Sequence, residues 1–317
     1  MPSNSLSVII PARNEMFLQE TIDSVIANIR GDTEIIVVLD GYWPAKPIPD
    51  HKRVTIIHYT ESVGQRAGTN NAAKISRSKY LMKLDAHCAM SEGFDVQMMN
   101  DIEPDMTMVP RLYNLHAFDW KCNACGNRTY QGPTPTKCVT CEKSDGFERV
   151  IVWQPRWNRG SDFMRFDKDL KFQYWREFRK RPEAQGDIVP TMSTLGACWM
   201  LSRDRYFELD ICDERHGSWG QQGTEIACKS WLSGGRLMTN KRAFYSHMFR
   251  TQGGDFGFPF PISGKQVDVA RKYSRDLFAN GKWGKAKYPL SWLLEKFWPI
   301  VGWDQSDLDA LKMKEAA

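Results

Sequence analysis

Apolar residues in the first third of the chain come in short, nearly unbroken runs. Residues 6–11 read Leu-Ser-Val-Ile-Ile-Pro and residues 34–39 read Glu-Ile-Ile-Val-Val-Leu. Residues 53–58 carry Val54, Ile56 and Ile57, and residues 80–84 close the series. Runs of this kind are expected of strands buried on both faces. Between them lie helical patterns at residues 17–29 and 64–76, and a Pro-rich loop at 43–50. Strands alternating with helices predict an α/β fold, with a mostly parallel central sheet and helices on both faces. Near the far end, residues 266–279 and 306–314 predict helices flanking a stretch that holds Trp283, Trp292, Trp298 and Trp303.

The 317 residues, 42% of them hydrophobic and twelve of them Trp, suffice for one large α/β domain or two smaller ones. A net charge of +5 and a pI near 8.7 suit anionic substrates without marking a strong nucleic-acid binder. No apolar run reaches the roughly 18–20 residues of a membrane helix. Residues 1–5 lead straight into the first strand with no charged and apolar leader, so the expectation is a cytoplasmic protein (a host's cytoplasm if the source is viral) with no membrane partner.

The eight cysteines fall into two groups. Cys88, Cys198, Cys212 and Cys228 are scattered in apolar, core-like contexts. Cys122, Cys125, Cys138 and Cys141 form two Cys-x-x-Cys pairs, with Gly126 after the first. This spacing predicts a closed, structural Zn²⁺ site of the zinc-ribbon kind, against the alternatives of two disulfides or four free thiols. The closed set also argues against a zinc hydrolase, which needs an open position. The residues between the pairs are poor in apolar side chains and need such a staple to fold. The module is either a structural clip for a long loop or a contact for a nucleic-acid acceptor. Lys121, Arg128, Lys137, Lys143 and Arg149 flank it, and aromatics alternate with cations through residues 153–181.

Candidate chemistry gathers where strands end. The run 80–84 leads into Asp85-Ala86-His87, and residues i and i+2 of an extended end point the same way. A carboxylate and an imidazole placed there suit Mn²⁺ or Mg²⁺ carrying a phosphate, or Zn²⁺; the plain alternative is a polar strand cap. Asp40, beside Gly41, ends another strand and is placed for ribose hydroxyls or a base edge. Arg66 opens a helix and suits a pyrophosphate. Their plain readings are a turn Asp and a surface Arg. The absence of Gly-x-Gly-x-x-Gly and of Gly-Lys-Ser/Thr argues against a dinucleotide dehydrogenase and a P-loop enzyme.

Ordered motifs add a resemblance. Residues 7–15 (Ser-Val-Ile-Ile-Pro-Ala-Arg-Asn-Glu), the Asp closing the second strand and the Asp-x-His strand end resemble glycosyltransferases of the GT-A fold, including the broad family 2. The Asp-x-His form, Pro190-Thr191-Met192 before Gly196, residues 201–207, the segment 219–226 and His247-Met248-Phe249-Arg250 are similar to the polypeptide N-acetylgalactosaminyltransferases. The likeness spans about residues 6–252, less the cysteine insertion, which that family lacks.

The resemblance implies a GT-A domain in two halves, residues 1–119 for the nucleotide and 151–263 for sugar and acceptor; cysteine spacing adds the zinc insertion at 120–150, and a helical extension follows at 264–317. It implies a metal-dependent glycosyltransferase, hexosyl- or N-acetylhexosaminyl-, that uses a nucleoside-diphosphate sugar, UDP-sugar first. Asp85, His87 and His247 would hold Mn²⁺ or Mg²⁺. Pro11, Arg13, Asn14, Asp40 and Arg66 would line the nucleotide pocket, and Trp219 and Arg250 would close over the diphosphate. Glu225 would lie near the reacting sugar. Gln222 and Gln221 replace a Glu and a Gly of the family's pattern where the sugar would rest, which leaves the sugar open. The resembled enzymes retain anomeric configuration, whereas most of family 2 inverts, so the outcome stays open too. For the acceptor hydroxyl, the zinc module, basic aromatics and missing leader point first to hydroxymethylated bases in DNA, with protein Ser/Thr or a glycan as the alternative. A non-catalytic zinc-bearing binder of nucleic acid or sugar is the reading of another class, and Gln222 keeps it alive.

Overall fold

The structure is a computed structural model and describes residues 5–250, 257, 260 and 262–316. Residues 1–4 and the last two residues of the likeness lie outside the described residues. The first half alternates as the apolar runs require: β1 (Ser5–Ala12), α1 (Leu18–Asn28), β2 (Asp32–Asp40), β3 (Val54–Tyr59), α2 (Gln65–Ile75) and β4 (Tyr80–Leu84). Then follow β5 (Cys88–Met90), α3 (Phe94–Asp101), β6 (Met106–Cys122), β7 (Arg128–Tyr130), β8 (Phe147–Ser161), β9 (Met164–Phe166) and β10 (Phe172–Tyr174). The second half holds β11 (Ile188–Pro190), β12 (Cys198–Ser202), α4 (Arg203–Glu208), α5 (Gln222–Leu232) and β13 (Arg236–His247). Last come α6 (Gly264–Ser274), α7 (Leu290–Lys296) and α8 (Gln305–Glu315).

One mixed sheet runs in the order β11-β13-β6-β12-β4-β1-β2-β3. The strands β3, β2, β1 and β4 are parallel, as predicted, and β12 enters antiparallel between β4 and β6. Both faces are covered. Leu6, Val8 and Ile10 of β1 join the core under α1 and α3, while Ile9 joins the core with Ala72 and Ala73 of α2 and Trp231 of α5. A buried parallel strand has no polar face to spare, which is why these runs lack strict alternation.

The cysteine insertion is the tip of a two-stranded arm rather than a separate unit. β6 and β8 pair antiparallel from Leu112–Ser161 out to Cys122–Phe147, so residue 120 lies inside a strand. The arm's inner face, with Leu115, Phe118 and Trp120, packs on Phe17 and Met248. Of the aromatics in 153–181, Phe163, Phe166, Trp175 and Phe178 are core, while Trp157 stands 64% exposed. No helix among the described residues is long and apolar enough to cross a membrane.

Candidate active site

The carboxyl ends of the parallel strands open onto a cavity of about 560 Å³. Pro11, Arg13 and Glu15 from the loop after β1, Asp40 after β2, and Asp85 and His87 after β4 line it. Trp219, Gln221, Gln222, His247 and Arg250 close it from the second half of the chain.

Strand pairing brings the three metal-capable residues together. β13 lies antiparallel to β5 with His247 opposite Cys88, and the Met248 amide donates to the His87 carbonyl at 3.1 Å. The Asp85 amide is fixed by the Ala197 carbonyl at 2.8 Å. In consequence His247 Nε2 lies 3.1 Å from His87 Nε2 and 3.3 Å from Asp85 Oδ2. Two donors at right angles on a cation bonded at about 2.1 Å sit about 3 Å apart, so these atoms fit one divalent ion. Burial pushes the His247 imidazole down to about 4 against its hydrogen bond to the Asp85 carboxylate, which keeps it neutral and able to ligate. Burial alone would raise the Asp85 carboxyl, but the Lys83 ammonium and the two imidazoles hold it well below the usual range.

Glu15 and Lys83 belong to this centre and were not singled out in the sequence. Glu15 Oε2 lies 3.2 Å from His87 Nδ1 and accepts from the Arg250 guanidinium. A carboxylate behind a ligating imidazole fixes its tautomer and orientation. Lys83, on the last turn of pleat before Asp85, donates to Asp85 Oδ1 and, at 2.8 Å, to the Gly196 carbonyl. A lysine inside the apolar run of β4 was the visible signal for it.

The remaining expected residues divide. Asp40 lines the cavity, but its carboxylate also holds the turn into α2: Ser62 Oγ donates at 2.8 Å and the Val63 amide at 2.6 Å. Gly41 there has φ +70°, and a Cβ would stand 2.6 Å from the Ser62 amide nitrogen, so only glycine lets the two loops meet. Arg13 stacks on Phe260 at 4.7 Å. Asn14 is exposed with φ +52° and does not line the cavity. Gln222 is buried on the wall, where a Cβ on Gly196 would come within 2.8 Å of its Oε1.

Arg66 and Glu225 lie behind the wall instead of on it. Glu225 is fully buried in α5, whose residues are all buried, and no polar face turns it toward the cavity. Its carboxylate accepts from Lys229 Nζ at 2.9 Å, the Asp213 amide at 2.7 Å and Arg66 Nε at 3.2 Å. Burial would raise its pKa, but Lys229, Arg66 and His216 hold it at about 2. Arg66 spends its remaining donors on the Gly217 and Gly220 carbonyls, at 3.1 and 2.6 Å. The pair is therefore a clasp on the loop that carries Trp219, not a phosphate ligand and a base.

At the arm's tip, Sγ of Cys122 lies 3.7 Å from that of Cys141, and Sγ of Cys125 lies 3.6 Å from that of Cys138. All four sulfurs lie within 4.8 Å of one another. A tetrahedral zinc with bonds of about 2.3 Å spaces its sulfurs about 3.8 Å apart, so the four fit that ion and are too far apart for disulfides. The Thr140 amide donates to Cys138 Sγ at 3.4 Å, which favours the thiolate.

The charges of the cavity suit an anion: Arg13, Lys83, Lys171, Arg250 and Arg271 face three carboxylates, Glu15, Asp40 and Asp85. Known proteins with similar sequences lead the same way. The chain is 23% identical over 288 residues to a putative polypeptide N-acetylgalactosaminyltransferase 13 of Drosophila melanogaster, covering 84% of this chain and 45% of that one. It is 24% identical over 213 residues to human N-acetylgalactosaminyltransferase 7, covering 66% of this chain and 28% of that one. The chain thus spans less than half the length of these curated relatives. Its fold is similar to a crystal structure of GalNAc-T7 with UDP, GalNAc and Mn²⁺, at a TM-score of 0.62 and 19% identity, covering 99% of this chain and 55% of that one. The family model for glycosyl transferase family 2 matches residues 7–204, more than half of the chain, and the chain belongs to that family.

Proposed function

We propose that the chain transfers a sugar, N-acetylgalactosamine first among candidates, from a UDP-sugar to a hydroxyl acceptor. One observation carries the reading: Asp85, His87 and His247 place three ligand atoms within 4.8 Å of one another on the wall of a cation-rich cavity. A divalent ion held there supplies Lewis-acid stabilisation of the departing diphosphate. Arg250, fixed by Glu15, adds a donor for the same charge, and Trp219 and Gln222 bound the space for the sugar.

Retention of anomeric configuration is the outcome we favour. Inversion needs a base for the acceptor proton. Among the described residues the cavity's three carboxylates are all engaged, Asp85 by Lys83, Glu15 by Arg250 and His87, Asp40 by its loop, and Glu225 is sealed behind the wall. The departing diphosphate, on the face it leaves, is then the base at hand.

For the acceptor, the name of the Drosophila relative supports a polypeptide hydroxyl, and hydroxymethylated DNA finds no support among the relatives. Zinc in the cysteine arm rests on the sulfur spacing. The test incubates purified protein and Mn²⁺ with a panel of UDP-sugars, with Ser/Thr peptides and hydroxymethylated DNA as competing acceptors, and assigns product anomers by NMR. Absence of binding, hydrolysis and transfer for every UDP-sugar would reject the enzyme reading in favour of a binding module.

A further inference from the structure

The charges at the cation seat cancel before any cation arrives. Asp85 and Glu15 are its carboxylates. The Lys83 ammonium, 1% exposed, is paired with Asp85 and tied to the Gly196 carbonyl at 2.8 Å. Arg250 is paired with Glu15, and His87 Nδ1 lies against the same oxygen. The outer lining adds Arg13, Lys171 and Arg271 against Asp40. Among the described residues, a divalent ion entering this seat alone meets no spare negative charge. It also lies close to a second cation that is sealed from water, where repulsion is poorly screened.

A diphosphate reverses that balance, since it brings both the missing negative charge and further oxygen ligands. Resting on the donor reading above, we infer that Lys83 makes cation binding conditional on the nucleotide diphosphate. Lys83 occupies one oxygen of Asp85 and suppresses uptake of the ion by the empty site, so ion and diphosphate enter together. Lys83 is a positioning residue here: it acts through Asp85 on the order of binding. Without it, the seat would carry one uncompensated carboxylate and would load with metal in the absence of donor.

The experiment follows the electron paramagnetic resonance signal of free Mn²⁺ titrated with the native protein, Lys83→Met and Lys83→Gln, each with and without UDP. A nearby unit charge shifts such equilibria by about tenfold or more. Native protein is expected to bind Mn²⁺ at least about tenfold more weakly without UDP than with it. Both variants, shown folded by thermal melting, are expected to gain about tenfold in Mn²⁺ affinity without UDP and so to narrow the gap. Equal affinity of the native protein with and without UDP overturns the inference, and that arm needs no variant to fold. Folded variants that bind Mn²⁺ no more tightly than native also overturn it. Failure of UDP to bind the native protein at any Mn²⁺ concentration instead overturns the donor reading beneath it.

Discussion

His87 and His247, 160 residues apart in the chain, bring their Nε2 atoms to 3.1 Å of each other. Each sits at a strand end whose backbone is fixed by its neighbour, so the pair is held by the sheet and not by a flexible loop. Replacing His247 by Ala removes one of three ligands while leaving β13 intact. The expected result is a fall of about 100-fold in Mn²⁺ affinity measured with UDP present, with an unchanged melting temperature. Glu15→Gln, which alters only the group behind His87, is expected to cost about 10–100-fold in the same measurement. A Glu15→Gln protein with native Mn²⁺ affinity would remove it from the centre.

Glu225 offers a sharper choice between chemistry and architecture. Its carboxylate is the counter-ion of Lys229 and Arg66 in a fully buried cluster. Removing one partner of such a cluster leaves uncompensated charge and costs about 3–5 kcal/mol. Glu225→Gln is therefore expected to lower the unfolding free energy from urea titration by a margin of that size, seen as a lower midpoint. A variant with a native midpoint and lost turnover would return Glu225 to the reaction.

Acid should weaken the metal-free protein in two stages. His216 and His247 are each held at about 4, below the ordinary 6.5, mainly by burial and against the pull of Glu225 and Asp85 respectively. Between those values the unfolded chain binds more protons than the native one, so stability falls as pH falls. The contribution is complete above 6.5 and is lost toward 4, about 3 kcal/mol per histidine by the usual 1.36 kcal/mol per unit. Glu225, held at about 2, acts in a lower window: its contribution is complete above its ordinary 4.5 and is lost as pH drops through 2. Melting temperatures in chelator should decline from pH 6.5 downward, and His216→Gln should flatten the upper part of that slope.

The cysteine arm predicts one zinc per chain by metal analysis. Cys138→Ser should lose it and expose the tip between β6 and β8 to protease. The arm's base packs on Phe17 and Met248 through apolar contacts that do not involve the cysteines, so slow hydrolysis of donor should persist. A zinc-free native protein whose tip resists protease would remove the ion from the account.

The sequence was most legible where periodicity and burial agree. The strands and helices of residues 5–84 fall within one or two residues of their apolar runs. β1, β2 and β4 do so because a strand covered on both faces leaves a continuous signature. β3, in contrast, is an edge strand that stays partly exposed, with no residue fully buried, against the expectation for residues 53–58. The trio Asp85, His87 and His247 was legible because strand-end placement and ordered motifs pointed together. Glu225 was misplaced for a physical reason: α5 is buried all round, so no amphipathic stripe tells which side of the wall a carboxylate faces. Arg66, on α2, follows Glu225 behind the wall, and that partner lies 159 residues away. The reach of β6 through residue 120 was hidden too, since a strand that stays buried or half-buried along its whole length does not announce where a domain stops. Glu15 depends on His87 and Arg250, distant in the chain, and spacing along a sequence carries no trace of them, whereas Lys83 left a signal as a lysine inside an apolar strand two residues from its partner Asp85.

The seat for the ion is assembled from the ends of β4 and β13, and β13 docks between β6 and β5 only after most of the chain has been made. A chain stalled before that docking already owns the walls of the nucleotide pocket yet has nowhere to anchor Mn²⁺. With UDP present, capture of the ion thus reports completed topology, and a time-resolved refolding trace read by Mn²⁺ uptake should follow the slowest phase seen by any other probe.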